Sequence, residues 1–150
     1  VPINADGKVN GFEFAYEQPI GDSFGINANY TYSDGETDHT WADGSNNLVG
    51  NSKVTYNVGV YFENQMFSAR LNYSYRSEFL IGLSGANPYY QDEFGTVNLS
   101  LNYRPNEWLN LSLDALNLND PTLTYFQNET APTSFYVNGR QFYLNARFKF

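Results

Sequence analysis

The stretch Val137–Phe150, VNGRQFYLNARFKF, carries the pattern that decides the fold. Counting back from Phe150, every second side chain is apolar: Phe148, Ala146, Leu144 and Phe142. Between them lie Lys149, Arg147, Asn145 and Gln141, with Tyr143 as an amphipathic exception. A period of two puts one set on each face of a β-strand, so this strand has one face for oil and one for water. The oily face has two available partners, a protein core and lipid, and the rest of the chain discriminates between them.

The same alternation recurs upstream. It predicts strands over Val9–Glu17, Phe24–Ser33, Val54–Phe62, Phe67–Arg76, Val97–Tyr103 and Leu109–Ala115, seven in all with the last stretch. After Ala115 the parity slips at Leu116 and Leu118, which predicts a bulge or the end of that strand. Connections alternate between short (Gln18–Ser23, Glu63–Gln65, Arg104–Glu107) and long (Ser33–Lys53, Ser77–Phe94 and Leu116–Tyr136). Tight turns at one end and long loops at the other are the pattern of outer-membrane barrels. On that pattern the first strand descends and the last ends in the periplasm.

Charge parity points the same way. Glu13, Arg70, Arg76, Asp114, Arg147 and Lys149 all fall on the polar face, and the alternate face of every predicted strand lacks Asp, Glu, Lys and Arg. A charge facing lipid at the midplane costs about 2 to 4 kcal/mol, so lipid would impose this exclusion. The core of a soluble β-sandwich would impose it too. However, Tyr30, Tyr32, Tyr73 and Tyr75 cluster at one end of the strands and Tyr16, Tyr103 and Trp108 at the other, where rings with polar tips form girdles at a membrane surface.

Composition excludes several classes. No run approaches 18 apolar residues, which rules out a transmembrane helix. The mean hydropathy of −0.51 is no objection to a barrel, whose two faces average out. The absence of cysteine removes disulfides and thiolate sites, and a net charge of −8 leaves no basic stripe for nucleic acid. No signal peptide is visible over Val1–Asn10, as expected of a mature chain or a fragment. The fold expected is all-β, an antiparallel transmembrane β-barrel. Closed bacterial barrels have even strand numbers, so about seven strands are the C-terminal part of a larger one. Further strands are then needed to cover the edge at Val9–Glu17.

The segments NGFEFAYEQPI (Asn10–Ile20), ANYTYSDGE (Ala28–Glu36), FSARLNYSYRSEFL (Phe67–Leu80), NLND (Asn117–Asp120) and GRQFYLNARFKF (Gly139–Phe150) together resemble the C-terminal barrel of TonB-dependent outer-membrane receptors. They are most similar to the subfamily often linked to carbohydrate uptake. The resemblance implies a barrel of about 22 strands around an N-terminal plug. It implies active import through the outer membrane of a Gram-negative bacterium, energised by the TonB complex acting on the plug. A carbohydrate ligand is preferred and a siderophore is the alternative. The implied partners are outer-membrane lipid, the plug, the remaining strands and the barrel-assembly machinery. The last would read Phe142, Leu144, Ala146, Phe148 and Phe150, which resemble its C-terminal signal. The rival readings are a passive porin, an autotransporter-type barrel and a soluble carbohydrate-binding sandwich.

Candidate sites follow from residue chemistry. Trp41, Tyr89, Tyr90, Tyr125 and Phe126 lie in long loops outside strand parity, and Asp43 lies beside the first of them. Aromatic rings stack on the apolar faces of sugars while carboxylates and amides bond their hydroxyls, so these six are ligand candidates, with packing of loop on loop as the alternative. The lumen charges Glu13, Arg70, Arg76, Asp114 and Arg147 are expected to pair with one another or with the plug. Asp34, Glu36 and Asp38 have the spacing that starts a calcium loop, but Thr40 and Ser45 stand where Gly and Glu belong, so no metal is assigned. No cofactor is implied. The only histidine, His39, has no triad partners that spacing can identify, and no catalysis is expected.

Overall fold

The computed structural model describes residues 5–128 and 131–149. Among the described residues there are eleven strands: β1 Gly7–Ile20, β2 Phe24–Thr37, β3 Val54–Glu63, β4 Phe67–Arg76, β5 Phe79–Ser84, β6 Asn87–Gln91, β7 Phe94–Asn106, β8 Leu109–Leu116, β9 Thr122–Asn128, β10 Ala131–Val137 and β11 Gln141–Phe148. Seven of them form an antiparallel sheet in the order β1-β2-β3-β4-β7-β8-β11, and these are the seven that the alternation predicts. Each strand of this sheet pairs the next strand of the same sheet along the chain, with β5–β6 inserted between β4 and β7 and β9–β10 between β8 and β11.

Register shows why the alternation succeeds. Ile26 pairs Val60, Val60 pairs Leu71, Leu71 pairs Leu99, Leu99 pairs Ala115, and Ala115 pairs Phe142. On the other face Asn29 pairs Asn57, Asn57 pairs Ser74 and Ser74 pairs Thr96. A slip of one residue at any of these pairings would send one strand's polar set into the apolar face, so the pattern itself holds the register. The apolar face is uncovered: Phe12, Phe14, Val58, Val60, Leu71 and Phe142 are all exposed, and Leu144 is 79% exposed. Polar residues dominate the other face. This is an inside-out arrangement, and it removes the soluble-sandwich reading.

Aromatic contacts rim the apolar face at both ends. Tyr32 and Tyr30 lie against Phe12, and Tyr56 contacts Tyr75 and Tyr73. At the other end Phe24 meets Phe62, Phe62 meets Phe67, and Trp108 stacks on Phe148. Gly95 serves this face, since a Cβ there would collide with the Tyr73 phenol lying across it.

The tight turns are built by local chemistry. The Asn64 Oδ1 accepts from the Met66 and Phe67 amides at 2.9 and 2.8 Å, and Asn106 does the same for Trp108 and Leu109 at 3.3 and 3.0 Å. Both are Asx turns. The parity slip after Ala115 is the end of a strand: β8 stops at Leu116, and Asn117 and Asp120 take left-handed φ of 56° and 49°. Asn and Asp tolerate that conformation best among residues with a Cβ. The turn is stitched to β7 by Leu118 N to Val97 O at 2.9 Å and by Val97 N to Asn119 Oδ1 at 2.9 Å.

Two expectations need correction. Ser77–Phe94 and Leu116–Tyr136, read as loops, contain the hairpins β5–β6 and β9–β10, which join in a second sheet of order β10-β9-β6-β5. These strands break alternation through the register shift at Leu80/Gly82 and through Pro88 and Pro132, which is why periodicity misses them. Val137 closes β10, and the final strand starts only at Gln141, after a turn in which Gly139 has φ 74°. Phe150 lies outside the described residues.

Candidate functional site

The buried apolar core lies in the second sheet. Leu80 is 1% exposed, Tyr90 6% and Phe126 8%, and Trp41 from the β2–β3 connection packs against them. Tyr90 pairs Leu80 on one side and Phe126 on the other, and its ring stacks on Phe126 at 5.6 Å between centroids. The β2–β3 connection covers this face. Its backbone is held by Trp41 Nε1 donating to Asn47 O at 2.9 Å and by the Ser45 amide donating to Asp43 Oδ1 at 2.9 Å.

The Tyr90 hydroxyl is the hub of the contact. It donates to Asp43 Oδ2 at 2.6 Å and lies 3.0 Å from Ser45 Oγ and 3.5 Å from Asn47 Nδ2. Burial, followed by the bond to Asp43, raises the Tyr90 phenol above its ordinary value. For Asp43, desolvation pushes the carboxyl up, but the bonds from Tyr90 and Ser45 outweigh it and the net shift is downward. At the base of the β2–β3 connection Lys53 pairs with Asp34 at 3.2 Å, and the hydrogen bond and charge of Asp34 raise the Lys53 ammonium. A cavity of about 380 Å³ opens between the connection and the sheet, lined by Asn47, Asn51, Lys53, Glu78, Phe79 and Tyr90.

The opposite face of this sheet is built differently. Alternation places Tyr89, Gln91, Leu123, Tyr125, Ser134 and Tyr136 on it. Tyr89 and Tyr125 stack at 5.9 Å, and Tyr136 stands edge-on to Tyr125 at 5.3 Å and 87°. The Tyr89 hydroxyl and Ser134 Oγ are 2.9 Å apart. Tyr136 is 56% exposed.

Thus the sequence-predicted ligand candidates separate into two groups. Trp41, Asp43, Tyr90 and Phe126 join the packing of loop on loop, whereas Tyr89 and Tyr125 lie on the other face. Ser134 and Tyr136, which the sequence does not single out, share the face of Tyr89 and Tyr125. The available signal was the alternation of Ser134 and Tyr136 beside Phe135, hidden by the Pro132 irregularity.

A family model described as TonB dependent receptor-like, beta-barrel matches residues 1–119. The chain belongs to this family. Its place is therefore the outer membrane of Gram-negative bacteria, and the family consists of transport barrels rather than enzymes. The fold is also that of a crystal structure of the ferric-catecholate import receptor Fiu from E. coli K12 in its closed form, with a TM-score of 0.72 and 20% identity. That match covers 96% of this chain and 21% of Fiu, so the chain spans about a fifth of the matched structure. No curated relative matches significantly.

In the TonB-dependent receptor barrel the exposed apolar face meets lipid, the polar face lines the lumen, and the long connections are extracellular. Of the five charges expected on the lumen face, Arg70, Arg76 and Asp114 have partners outside that set. Arg70 pairs with Glu63 at 3.6 Å and lies over the Tyr61 ring. Arg76 donates to Gly50 O at 2.8 Å and to Ser52 Oγ, and its guanidinium sits 3.6 Å from the centroid of the Phe79 ring. Asp114 accepts from Ser100 Oγ at 2.6 Å. Glu13 stands opposite Thr31 and Arg147 opposite Asn110, whose Oδ1 is buried without a partner. Among the described residues no group of three or more His, Cys, Asp or Glu is placed to hold a metal. Of the acids of the partial calcium motif, Asp34 is paired with Lys53.

Proposed function

We infer that the chain is the C-terminal wall and loop portion of an active importer, in which a plug inside the complete barrel is moved by the TonB complex. Family membership supports the importer class. The plug, the further strands that cover the β1 and β11 edges, and assembly through Phe142, Leu144, Ala146, Phe148 and Phe150 belong to the same proposal. The edges need covering because an unpaired strand in lipid leaves its backbone groups unsatisfied.

The ligand is a neutral, hydroxyl-rich molecule of the carbohydrate class. The observation that carries this is the charge of the extracellular end. Asp34, Glu36, Asp38, Asp43, Glu78, Asp92, Glu93 and Asp120 outnumber Lys53, Arg76 and Arg140, and Lys53 and Arg76 are already engaged. An anionic ferric catecholate, the cargo named for Fiu, would meet a like-charged surface here. The Fiu likeness, at 20% identity, is one of fold.

Uptake tests the reading. Cells expressing the full-length receptor are expected to accumulate a labelled neutral oligosaccharide only when TonB is present. Equal accumulation without TonB would establish passive passage and remove the energised mechanism.

A further inference from the structure

We propose that the free edge of β10, over Ser134–Val137, is a docking edge for the strand that closes the barrel against β11, and that this strand continues past β11 to pair with β10 as well. The proposal rests on the reading above that further strands cover the β11 edge, and it extends that cover to the loop sheet.

Topology sets the position. The strands of the loop sheet, in the order β5-β6-β9-β10, match the barrel strands β4, β7, β8 and β11 one for one: β5 follows β4 along the chain, β6 precedes β7, β9 follows β8 and β10 precedes β11. The free edges β10 and β11 therefore stand at the same end of the two strand orders, and only residues 138–140 separate them. That junction is tied to the one between β8 and β9. Asn117 Nδ2 donates to Gly139 O at 3.4 Å, and Arg140 Nε donates to Leu118 O at 2.9 Å. Because β10 is the arm of its hairpin that leads into β11, one rising strand can run antiparallel to both.

The opposite edge of the loop sheet is already met by the chain itself. Gly50 N donates to Leu80 O at 2.7 Å and Ser52 bridges Phe79, so the β2–β3 connection lies along the foot of β5. Beyond it the register shift at Leu80/Gly82 breaks the edge.

The edge of β10 has no such cover. From Ser134 to Val137 its pairing with β9 is regular, and Ser134, Phe135, Tyr136 and Val137 include no charge, proline or glycine. Phe135 is 62% exposed, Tyr136 56% and Val137 60%, and they alternate in direction, so neither face of this strand has a flanking neighbour on the free side. An edge strand that stays in water is ordinarily blunted by charge, proline or a bulge, whereas aromatic and β-branched residues favour pairing. The blunting features come farther from β11, at Pro132, with a register shift on each side of it. The unguarded stretch is thus the one nearest β11, and Pro132 marks where a strand rising along β11 stops pairing.

The same geometry selects the occupant. In a closed barrel the space beside β11 is filled by a strand of the same wall. Its extension reaches β10 without displacing anything, whereas a second copy of the receptor or a bound peptide has to approach around it.

The test is hydrogen exchange of the purified full-length receptor in detergent. The β10 amides turned away from β9 are expected to exchange within about tenfold of the β9 amides, and replacing the extracellular end of the closing strand by Gly and Ser should speed them about a hundredfold while β11 stays protected. In a cysteine-free background, Phe135→Cys should form a disulfide with one position in a cysteine scan of that strand end, and no disulfide anywhere along the scan would count against the pairing. Fast exchange at Ser134–Val137 with β11 protected would overturn this inference alone. Fast exchange at both edges would overturn the reading of the chain as the wall of a larger barrel as well. Protection of β10 that survives the replacement, or that appears only at high receptor concentration, would give the edge to another occupant and overturn the assignment.

Discussion

The two sheets of this chain obey opposite rules. In the seven-stranded sheet the large apolar side chains point outward and remain exposed, whereas in the four-stranded sheet Leu80, Tyr90 and Phe126 are buried as in a soluble protein. The first has lipid for a solvent and needs no protein partner on that face. The second stands in water above the membrane and must make its own core. One chain thus carries two folding codes, and each can be broken separately.

The largest effect is expected from putting charge into the lipid face. Leu71 lies in the central row between Val60 and Leu99, so Leu71→Arg should cost about 2 to 4 kcal/mol in urea unfolding of the full-length receptor in vesicles. Its neighbour Asn72 faces the lumen, and Asn72→Arg should cost under about 1 kcal/mol. Equal costs would refute the assignment of the two faces. Next comes the water-facing core. Leu80→Ala should destabilise the loop sheet by about 2 to 3 kcal/mol, at the low end for such a change because the partly buried Trp41 can relax into the space. Hydrogen exchange should then accelerate in β5, β6 and β9 and stay unchanged in β1–β4. Acceleration in both would mean that the sheets unfold as one.

The two codes also differ in how far they can be read from residues alone. Strands such as Phe67–Arg76 are legible because lipid and lumen each demand one parity without interruption, and β4 appears with the bounds that alternation gives. The loop sheet obeys no such rule. Asn87–Gln91 is five residues with a proline, buried on both faces at Tyr90 and Gln91, and its partner β9 lies more than 30 residues away. Nothing local signals that pairing. The aromatic residues of the loops are visible in the sequence, but whether a ring is covered depends on where the β2–β3 connection lies. Tyr89 and Tyr90 are adjacent in sequence and face opposite ways, and no pattern within the loop separates their roles.

A smaller effect tests how firmly the β2–β3 connection is tied to the loop sheet. Tyr90→Phe keeps the ring in the core and removes only the hydroxyl that binds Asp43, Ser45 and Asn47. The expected loss is about 1 kcal/mol, since Asp43 is exposed and water takes up part of the lost interaction. Exchange should quicken around residues 41–47 more than in β6 itself. The reverse order would make the ring, and not its hydroxyl, the tie.

The smallest effect concerns pH and isolates the carboxylate. Asp43 has a folded value below its ordinary 3.8, so its contribution is complete above 3.8 and is lost as pH falls through the lower folded value. Tyr90 titrates above its ordinary 10.0, so its share is complete below 10.0 and is lost only as pH rises through the higher folded value. Between these limits the pair predicts a flat profile, with β2–β3 protection constant from neutral pH down to about 4 and weakening below it. Screening at the exposed carboxylate keeps the change under about 0.5 kcal/mol. Asp43→Asn should remove the acid dependence while the lipid-facing sheet keeps its own. Persistence of the acid loss in Asp43→Asn would show that Asp43 is not the titrating group.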